Sequence, residues 1–368
     1  MDRPLRVGFI GCGEVGAEKH LPAVREVREL EVVAVADVDP ERLRSVEARY
    51  GIRRVHRDAA SLLADREIDV VAVCLPPRLQ VAAALAALEA DKHVWIEAPV
   101  GLSLPDCDRL IAKARASGRQ VTVGFHMRWH RLVRQAKEIV DRGDLGTIQT
   151  IRATWNSPRA DDTLPEWRRH RVLGGGALVE VASDHFDLWR HLLGAEIAEL
   201  FATTVDGRWE DEAAVVSGHM SNGVLVSAVF SERANHDLEF EICGKAGRLR
   251  VSLIRFEGLE YYPTEMMPSS VPARLGRMGH FLKELPRALP RMHRAGDYRV
   301  SYCDQWRQFA QSIRTGTPME STLQDGRQAL AAVLAAARSA VVRRPVGMRE
   351  APATMPVPAG KGPAQAAS

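Results

Sequence analysis

The sequence predicts an α/β protein: a doubly wound parallel sheet at the amino-terminal end, followed by an α+β domain on a mostly antiparallel open sheet. Three observations lead there. The chain opens with strand, glycine turn, helix and second strand. Short, continuously apolar runs then alternate with helical periodicity up to about residue 124, as in a parallel sheet covered on both faces. From Gly146 the runs lengthen and alternate, the pattern of a mostly antiparallel sheet.

In order, Leu5–Ile10 is an apolar strand, 15–27 reads as one helix, and 31–36 is a β-branched strand ending at Asp37. Helices near 40–50, 59–64, 78–90 and 104–117 alternate with strands near Val55 and at 70–75, 93–96 and 120–124. Strands follow at 147–155, 197–204, 213–221, 224–231 and 237–243, with helices near 131–142 and 176–193 over one face. The other face carries enough apolar side chains to expect burial against a second subunit, as a homodimer or homotetramer. Residues 263–300, rich in Pro, Arg and Met, show weak periodicity and are expected to be irregular before a helix starting near Cys303. A last helix spans about 324–342. The expected domains are 1–123 and 124–348, with a disordered Ala/Pro/Gly-rich tail at 349–368.

Composition narrows the function. Of 368 residues 46% are hydrophobic and 26% charged, ordinary for a globular protein with a substantial core. The net charge of +3 is spread without a basic block, so no nucleic-acid partner is expected. The five cysteines lack C-x-x-C spacing and read as reduced thiols of a cytoplasmic protein. No apolar signal core opens the chain, and no run approaches the roughly 18 residues of a membrane span, so no membrane partner is expected. There is no H-E-x-x-H and no EF-hand loop, so no metal site is expected, and no G-x-S-x-G elbow of a serine hydrolase.

Gly11-Cys12-Gly13-Glu14-Val15-Gly16 fits G-x-G-x-x-G between a strand and a helix, where a pyrophosphate-binding turn must stand. Gly11 permits the turn, Gly13 the approach of the pyrophosphate, and Gly16 close packing of helix on strand. Asp37, at the tip of the next strand, suits ribose hydroxyls and favours NAD, while Arg42 and Arg44 leave NADP open. Leu75 and Pro76 end an apolar strand at the carboxyl edge of the sheet, where ligands bind in Rossmann folds.

With His20-Leu21-Pro22-Ala23, Ala34-Val35-Ala36-Asp37, Val94-Trp95-Ile96-Glu97-Ala98-Pro99 and the glycine-led run 174–194, the chain resembles the Gfo/Idh/MocA family over about residues 4–347. The resemblance implies a Rossmann domain, then an α/β domain whose open sheet serves oligomerisation, and redox chemistry on a sugar, polyol or similar hydroxyl or ketone. It places Glu97 and Ala98 beside the cofactor. The family's usual Glu-Lys-Pro is here Glu97-Ala98-Pro99, so the lysine that ordinarily assists proton transfer is absent. The positions of the family's usual Asp and His hold Glu180 and Asp184.

Hydride transfer to a carbonyl needs a proton donor, which alanine cannot supply. The candidates are His126, Asp184, His185 or water. Asp184 shares a helical face with Glu180 and Asp187, while the adjacent His185 diverges by about 100°. Arg128 is a candidate for an anionic substrate group and Trp129 for an apolar wall. Trp167, Arg168 and Glu180 complete the substrate candidates. The expected function is an NAD(P)-dependent oxidoreductase of a small hydroxyl or keto substrate with a non-standard proton-transfer site. The alternatives are a cofactor-retaining enzyme without net redox change and a catalytically silent ligand sensor.

Overall fold

Strands β1 (Leu5–Ile10), β2 (Leu30–Ala36), β3 (Arg54–His56), β4 (Val70–Val73), β5 (His93–Ile96) and β6 (Val121–Val123) form one parallel sheet, in the order β3-β2-β1-β4-β5-β6. The computed structural model describes residues 3–159, 164–266, 269–292 and 296–356. The strand order is that of the doubly wound fold, whose ligand crevice lies where the order reverses, outside the carboxyl ends of β1 and β4. Every residue of β4 is buried, which its all-apolar sequence Val-Val-Ala-Val requires of a strand covered on both faces.

Helices α1 (Leu21–Arg25), α2 (Pro40–Tyr50), α3 (Ala59–Leu63), α4 (Pro77–Glu89) and α5 (Leu104–Ser117) connect these strands. Their starts are written in the sequence. Asp39 accepts the Glu41 N–H at 2.8 Å, Asp58 the Ser61 N–H at 2.7 Å, and Ser103 the Asp106 N–H at 3.4 Å. The helix expected over 15–27 is instead two pieces. Glu14–His20 is a π-helical turn, closed by the Leu21 N–H on the Gly16 carbonyl, and α1 follows it. Pro22 has no N–H to continue a single ladder, which explains the break.

By contact the chain divides into two compact units, 1–126 with 301–330, and 127–300 with 331–368. The segment 301–330 therefore packs with the first sheet, although the sequence reading placed it in the second domain. Local sequence does not reveal such a return. The Trp306 ring stacks on Trp95 at 4.0 Å, and Gln305 Nε2 donates to the Val123 carbonyl at 2.7 Å.

In the second unit, β7 (Ile148–Asn156), β8 (Ile197–Val205), β9 (Ala213–Met220), β10 (Leu225–Ser231), β11 (Asp237–Gly244), β12 (Gly247–Ser252), β13 (Leu259–Pro263) and β14 (Val346–Gly347) form one sheet. Its order is β13-β12-β11-β7-β10-β9-β8-β14, antiparallel except where β10 runs parallel to β7. Burial alternates along β10, with Leu225 and Val229 exposed and Val226 and Ala228 buried. The helices of this unit are α6 (Arg131–Asp141), α7 (Ala177–Glu180), α8 (Ala182–Leu193), α9 (Val271–Met292) and the start of α10 (Gly296–Thr315); α11 (Leu323–Val342) runs from the first unit into the second.

Two expectations are corrected here. Residues 263–300 are largely helical, as α9 and the first residues of α10, which begins at Gly296 and not near Cys303. Pro286, Pro290, Gly276 and Gly279 disguise the helical period, because each is individually a poor helix former. The expected tail does not begin at 349: Met348–Glu350 forms a turn held by Arg344 and Glu350 at 2.8 Å. Residues 357–368 of that tail lie outside the described residues.

Arg131 ties α6 to three segments. It pairs with Glu284 of α9 at 2.8 Å and Asp297 of α10 at 2.9 Å, and donates to the Phe256 carbonyl. Removing a shared, largely buried cation strands its carboxylates, so Arg131→Ala is expected to cost about 3–5 kcal/mol. Urea melts read the loss, and Arg131→Lys should recover only part because it cannot reproduce the planar fork.

Candidate active site

The glycine turn is built at the end of β1. Gly11 has φ +101°, and a Cβ there would fall 2.3 Å from the Cys74 carbonyl oxygen. A Cβ at Gly16 would fall 2.3 Å from the Gly11 carbonyl oxygen. Gly13 differs: its φ is −71°, and, its chain neighbours apart, the nearest described atom to a Cβ there would be the Arg42 Nη1 at 3.9 Å. The protein itself therefore requires Gly11 and Gly16, and leaves open the space above Gly13. Glu14 is exposed and Val15 half-buried at the start of the π-helical turn. Asp37 accepts the Cys12 N–H at 2.7 Å and the Asp39 N–H at 2.9 Å, with Arg42 3.9 Å away. Burial beside Asp37 pushes the Cys12 thiol up to about 12, so it is an inert thiol. None of the five cysteines is in a disulfide.

Leu75, Pro76, Glu97 and Ala98 are half-buried just beyond the carboxyl ends of β4 and β5. Glu97 is the fixed point among them. His20 Nε2 lies 2.5 Å from its Oε1, and Trp95 Nε1 donates to the same oxygen at 3.1 Å. Trp306 Nε1 donates to His20 Nδ1 at 2.9 Å, which assigns the His20 proton to Nε2 and makes that nitrogen the donor to Glu97. A Cβ at Gly124 would fall 2.5 Å from Glu97 Oε1, so glycine there makes room for the carboxylate. His126, just past β6, is buried with its ring stacked on Tyr302 at 4.0 Å. His126 and His130 are four apart, yet their segment is a tight turn and His130 Nδ1 accepts the Leu132 N–H to cap α6.

In the second unit, three predicted substrate residues come together. Arg168 Nε lies 3.2 Å from Glu180 Oε2, and its guanidinium sits 5.1 Å from the centre of the half-buried Trp167 ring. Arg159 reaches Glu180 at 2.9 Å and Glu232 at 3.1 Å, and Trp209 Nε1 donates to Glu232 at 2.7 Å. Burial raises the Glu232 carboxyl, with Arg159 and the indole acting against it. The glycine cluster permits this packing, since a Cβ at Gly175 would fall 2.1 Å from the Arg168 carbonyl oxygen. Asp184 is half-buried on α8.

Three other expectations meet a different geometry. Arg128 is buried in a two-pronged ion pair with Asp187 and is not presented to an anionic ligand. Trp129 is core. His185 is also core, held edge-on by Trp155 at 4.7 Å and Phe230 at 5.1 Å. Adjacent residues on α8 diverge, so the half-buried Asp184 turns its neighbour inward. Burial lowers His185 from 6.5 to about 3. Sequence reasoning also missed residues: His20, though part of the quoted His-Leu-Pro-Ala stretch, and Trp306, Tyr302 and Arg159, whose contacts are too distant in sequence to leave a local signal.

A glycine turn, an acidic residue at the tip of β2 and a polar carboxyl edge define a dinucleotide-binding oxidoreductase. The chain belongs to the Gfo/Idh/MocA oxidoreductase family. Residues 5–125 match the model of its NAD-binding Rossmann fold, and 133–250 that of the GFO/IDH/MocA C-terminal domain. The chain is 28% identical over 355 residues to a myo-inositol 2-dehydrogenase of Thermotoga maritima, covering 94% of this chain and 99% of that one. It is 30% identical over 258 residues to a dTDP-3,4-didehydro-2,6-dideoxy-alpha-D-glucose 3-reductase of Saccharopolyspora spinosa, covering 68% and 75%. The crystal structure of a probable dehydrogenase from Thermotoga maritima matches with a TM-score of 0.76 at 25% identity, over 95% of this chain and all of that one. The chain is an NAD-dependent oxidoreductase. Among the described residues no cluster suits a metal ion, and no helix is long and apolar enough to cross a membrane.

Two predictions follow from this geometry. Gly13→Ala is expected to leave the melting temperature unchanged while weakening NADH binding at least tenfold, read by fluorescence titration. Gly11→Ala and Gly16→Ala should instead lower the melting temperature, because their Cβ atoms meet backbone oxygen. For His185, the folded protein stays neutral where the unfolded chain takes up a proton below about pH 6.5. Stability is then full above pH 6.5 and falls as pH drops towards 3, by up to about 1.4 kcal/mol per pH unit. Urea melts of His185→Gln across that window should show a shallower slope.

Proposed function

We propose that the chain moves a hydride between NAD and one carbon of a small polyhydroxylated substrate, a hydroxyl or its ketone, with His126 and Asp184 taking over proton transfer. The observation that carries the cofactor half is the open space over Gly13, flanked by two glycines the fold itself requires. Gly11, Gly13, Glu14, Val15 and Gly16 would hold the pyrophosphate, Asp37 a ribose, and Leu75, Pro76, Glu97 and Ala98 the nicotinamide end. Bound NAD supplies the hydride acceptor or donor.

His126 follows β6, the neighbour of β5, whose end carries Glu97 and Ala98. An imidazole near that edge suits proton exchange at neutral pH. Asp184 is the half-buried candidate of the second unit, whereas His185 has a packing role. Trp167, Arg168 and Glu180 would present donors, acceptors and a flat apolar face to a polyhydroxylated ring. The names of the inositol dehydrogenase and the dideoxyglucose reductase support that substrate class. Phe201, Val205, Val215, Leu225 and Val229 leave one face of the second sheet apolar and exposed, which supports a homodimer or homotetramer through it. The unpaired thiols support a cytoplasmic setting.

A panel of cyclic polyols and nucleotide-linked keto-sugars with NAD or NADH tests this. The expected result is a change in nicotinamide absorbance equal to product formed, with His126→Asn lowering kcat about 10²–10⁴-fold at unchanged NADH affinity. Product without net change in nicotinamide, or full kcat in His126→Asn, overturns the corresponding half of the reading.

A further inference from the structure

The carboxyl edge of the first sheet sets a direction for a dinucleotide lying on it. Asp37 follows β2 on one side of the glycine turn, and β4 and β5 lie on the other, so with the adenosine ribose at Asp37 the nicotinamide half runs over the ends of β4 and β5. Backbone bonds place Glu97 along that run. The Cys74 N–H, just past β4, donates to the Ile10 carbonyl at 2.8 Å, and the Glu97 N–H, just past β5, to the Val73 carbonyl at 3.3 Å. Glu97 therefore stands two strand spacings, about 10 Å, from the end of β1, which suits the ribose and ring of a nucleotide whose phosphate sits at the turn.

At that point Glu97 is an unbalanced charge. Its Oε1 accepts from two neutral donors, the Trp95 indole and a His20 ring whose Nδ1 takes the Trp306 N–H. Among the described residues its Oε2 accepts no hydrogen bond, and no Lys or Arg pairs with the carboxylate. The side chain is only 14% exposed, so water screens it weakly. Its charge is felt at the end of β4, where burial first and then Glu97 push the Cys74 thiol well above its ordinary value. A nicotinamide ring is positively charged when oxidised and uncharged when reduced. We propose, as an extension that rests on the cofactor reading above, that Glu97 sets the pocket's selectivity between the two cofactor states, favouring NAD⁺ over NADH by about fivefold relative to a neutral side chain at its position. A fivefold preference lowers the potential of the bound couple by about 20 mV, at about 30 mV per tenfold for two electrons.

The test needs no substrate. The full-length protein is titrated by calorimetry with NAD⁺, NADH and ADP-ribose, which lacks the nicotinamide and so reports the glycine turn and Asp37 alone. Glu97→Gln keeps an oxygen for both donors and removes only the charge. It is expected to weaken NAD⁺ about fivefold, with NADH changed by less than about twofold and ADP-ribose unchanged. Ala98→Lys leaves Glu97 and its two donors in place and supplies a cation beside them, so it should shift the ratio of NAD⁺ to NADH affinity in the same direction, again with ADP-ribose unchanged. An unchanged ratio in a Glu97→Gln variant that still binds ADP-ribose overturns the proposal and leaves the cofactor reading standing. If that variant loses ADP-ribose, which means that the turn itself is disturbed, an unchanged ratio in Ala98→Lys overturns the proposal in its place. A parent protein that binds none of the three ligands overturns the cofactor reading and the proposal together.

Discussion

A half-buried carboxylate at the end of β5 organises the carboxyl edge of the first sheet. Glu97 Oε1 accepts from His20 Nε2 and Trp95 Nε1, and His20 in turn is fixed by the Trp306 N–H on its other nitrogen. The three indole and imidazole groups come from different parts of the chain: the end of the π-helical turn, the strand β5 itself, and α10 some two hundred residues later. Trp306 stacks on Trp95 and meets His20 edge-on, so the rings that orient the carboxylate also form the apolar wall behind it. The π-helical turn acquires a purpose in this light. It begins at the glycine loop and delivers His20 to Glu97, joining the dinucleotide end of the edge to its other end.

The second unit uses a different device, pairs of arginine and carboxylate held away from solvent. Arg128 with Asp187 and Arg171 with Asp211 are two-pronged and buried. Such pairs add little net stability against apolar replacements, yet breaking one is costly, so they fix orientation more than they strengthen the fold. Around Glu180 two arginines converge on one carboxylate. Its charge is therefore largely compensated within the unit.

Legibility in the sequence followed the range of the interactions. The parallel strands and the glycine turn are encoded by residues within a few positions of one another and are legible in the sequence, and the caps at Asp39, Asp58 and Ser103 that the structure shows are equally local. Trp306, Tyr302 and Arg159 act through contacts across long stretches of chain, and nothing local marks them. Arg128 misled because an arginine in a loop-like segment reads as exposed, while its partner Asp187 lies 59 residues away. The stretch 263–300 misled for the opposite reason: its prolines and glycines speak against a helix by propensity and mask the helical spacing of Val271, Leu275, Met278 and Leu282.

The replacement of the expected lysine by Ala98 has an electrostatic consequence at the same edge. Both donors that reach Glu97 are neutral: an indole N–H and an imidazole whose second nitrogen accepts a hydrogen bond. A lysine next in sequence would have balanced the carboxylate; alanine leaves the negative charge uncompensated by any salt bridge to Lys or Arg among the described residues. A carboxylate in a partly desolvated edge acts over several ångströms more strongly than in water, and it favours whichever bound state carries positive charge beside it. The oxidised nicotinamide ring is cationic and the reduced ring neutral, so a ring held at this edge would be favoured in its oxidised form. The same charge would raise the cost of an alkoxide forming nearby. His126 lies past the end of the neighbouring strand in the same unit, stacked on Tyr302.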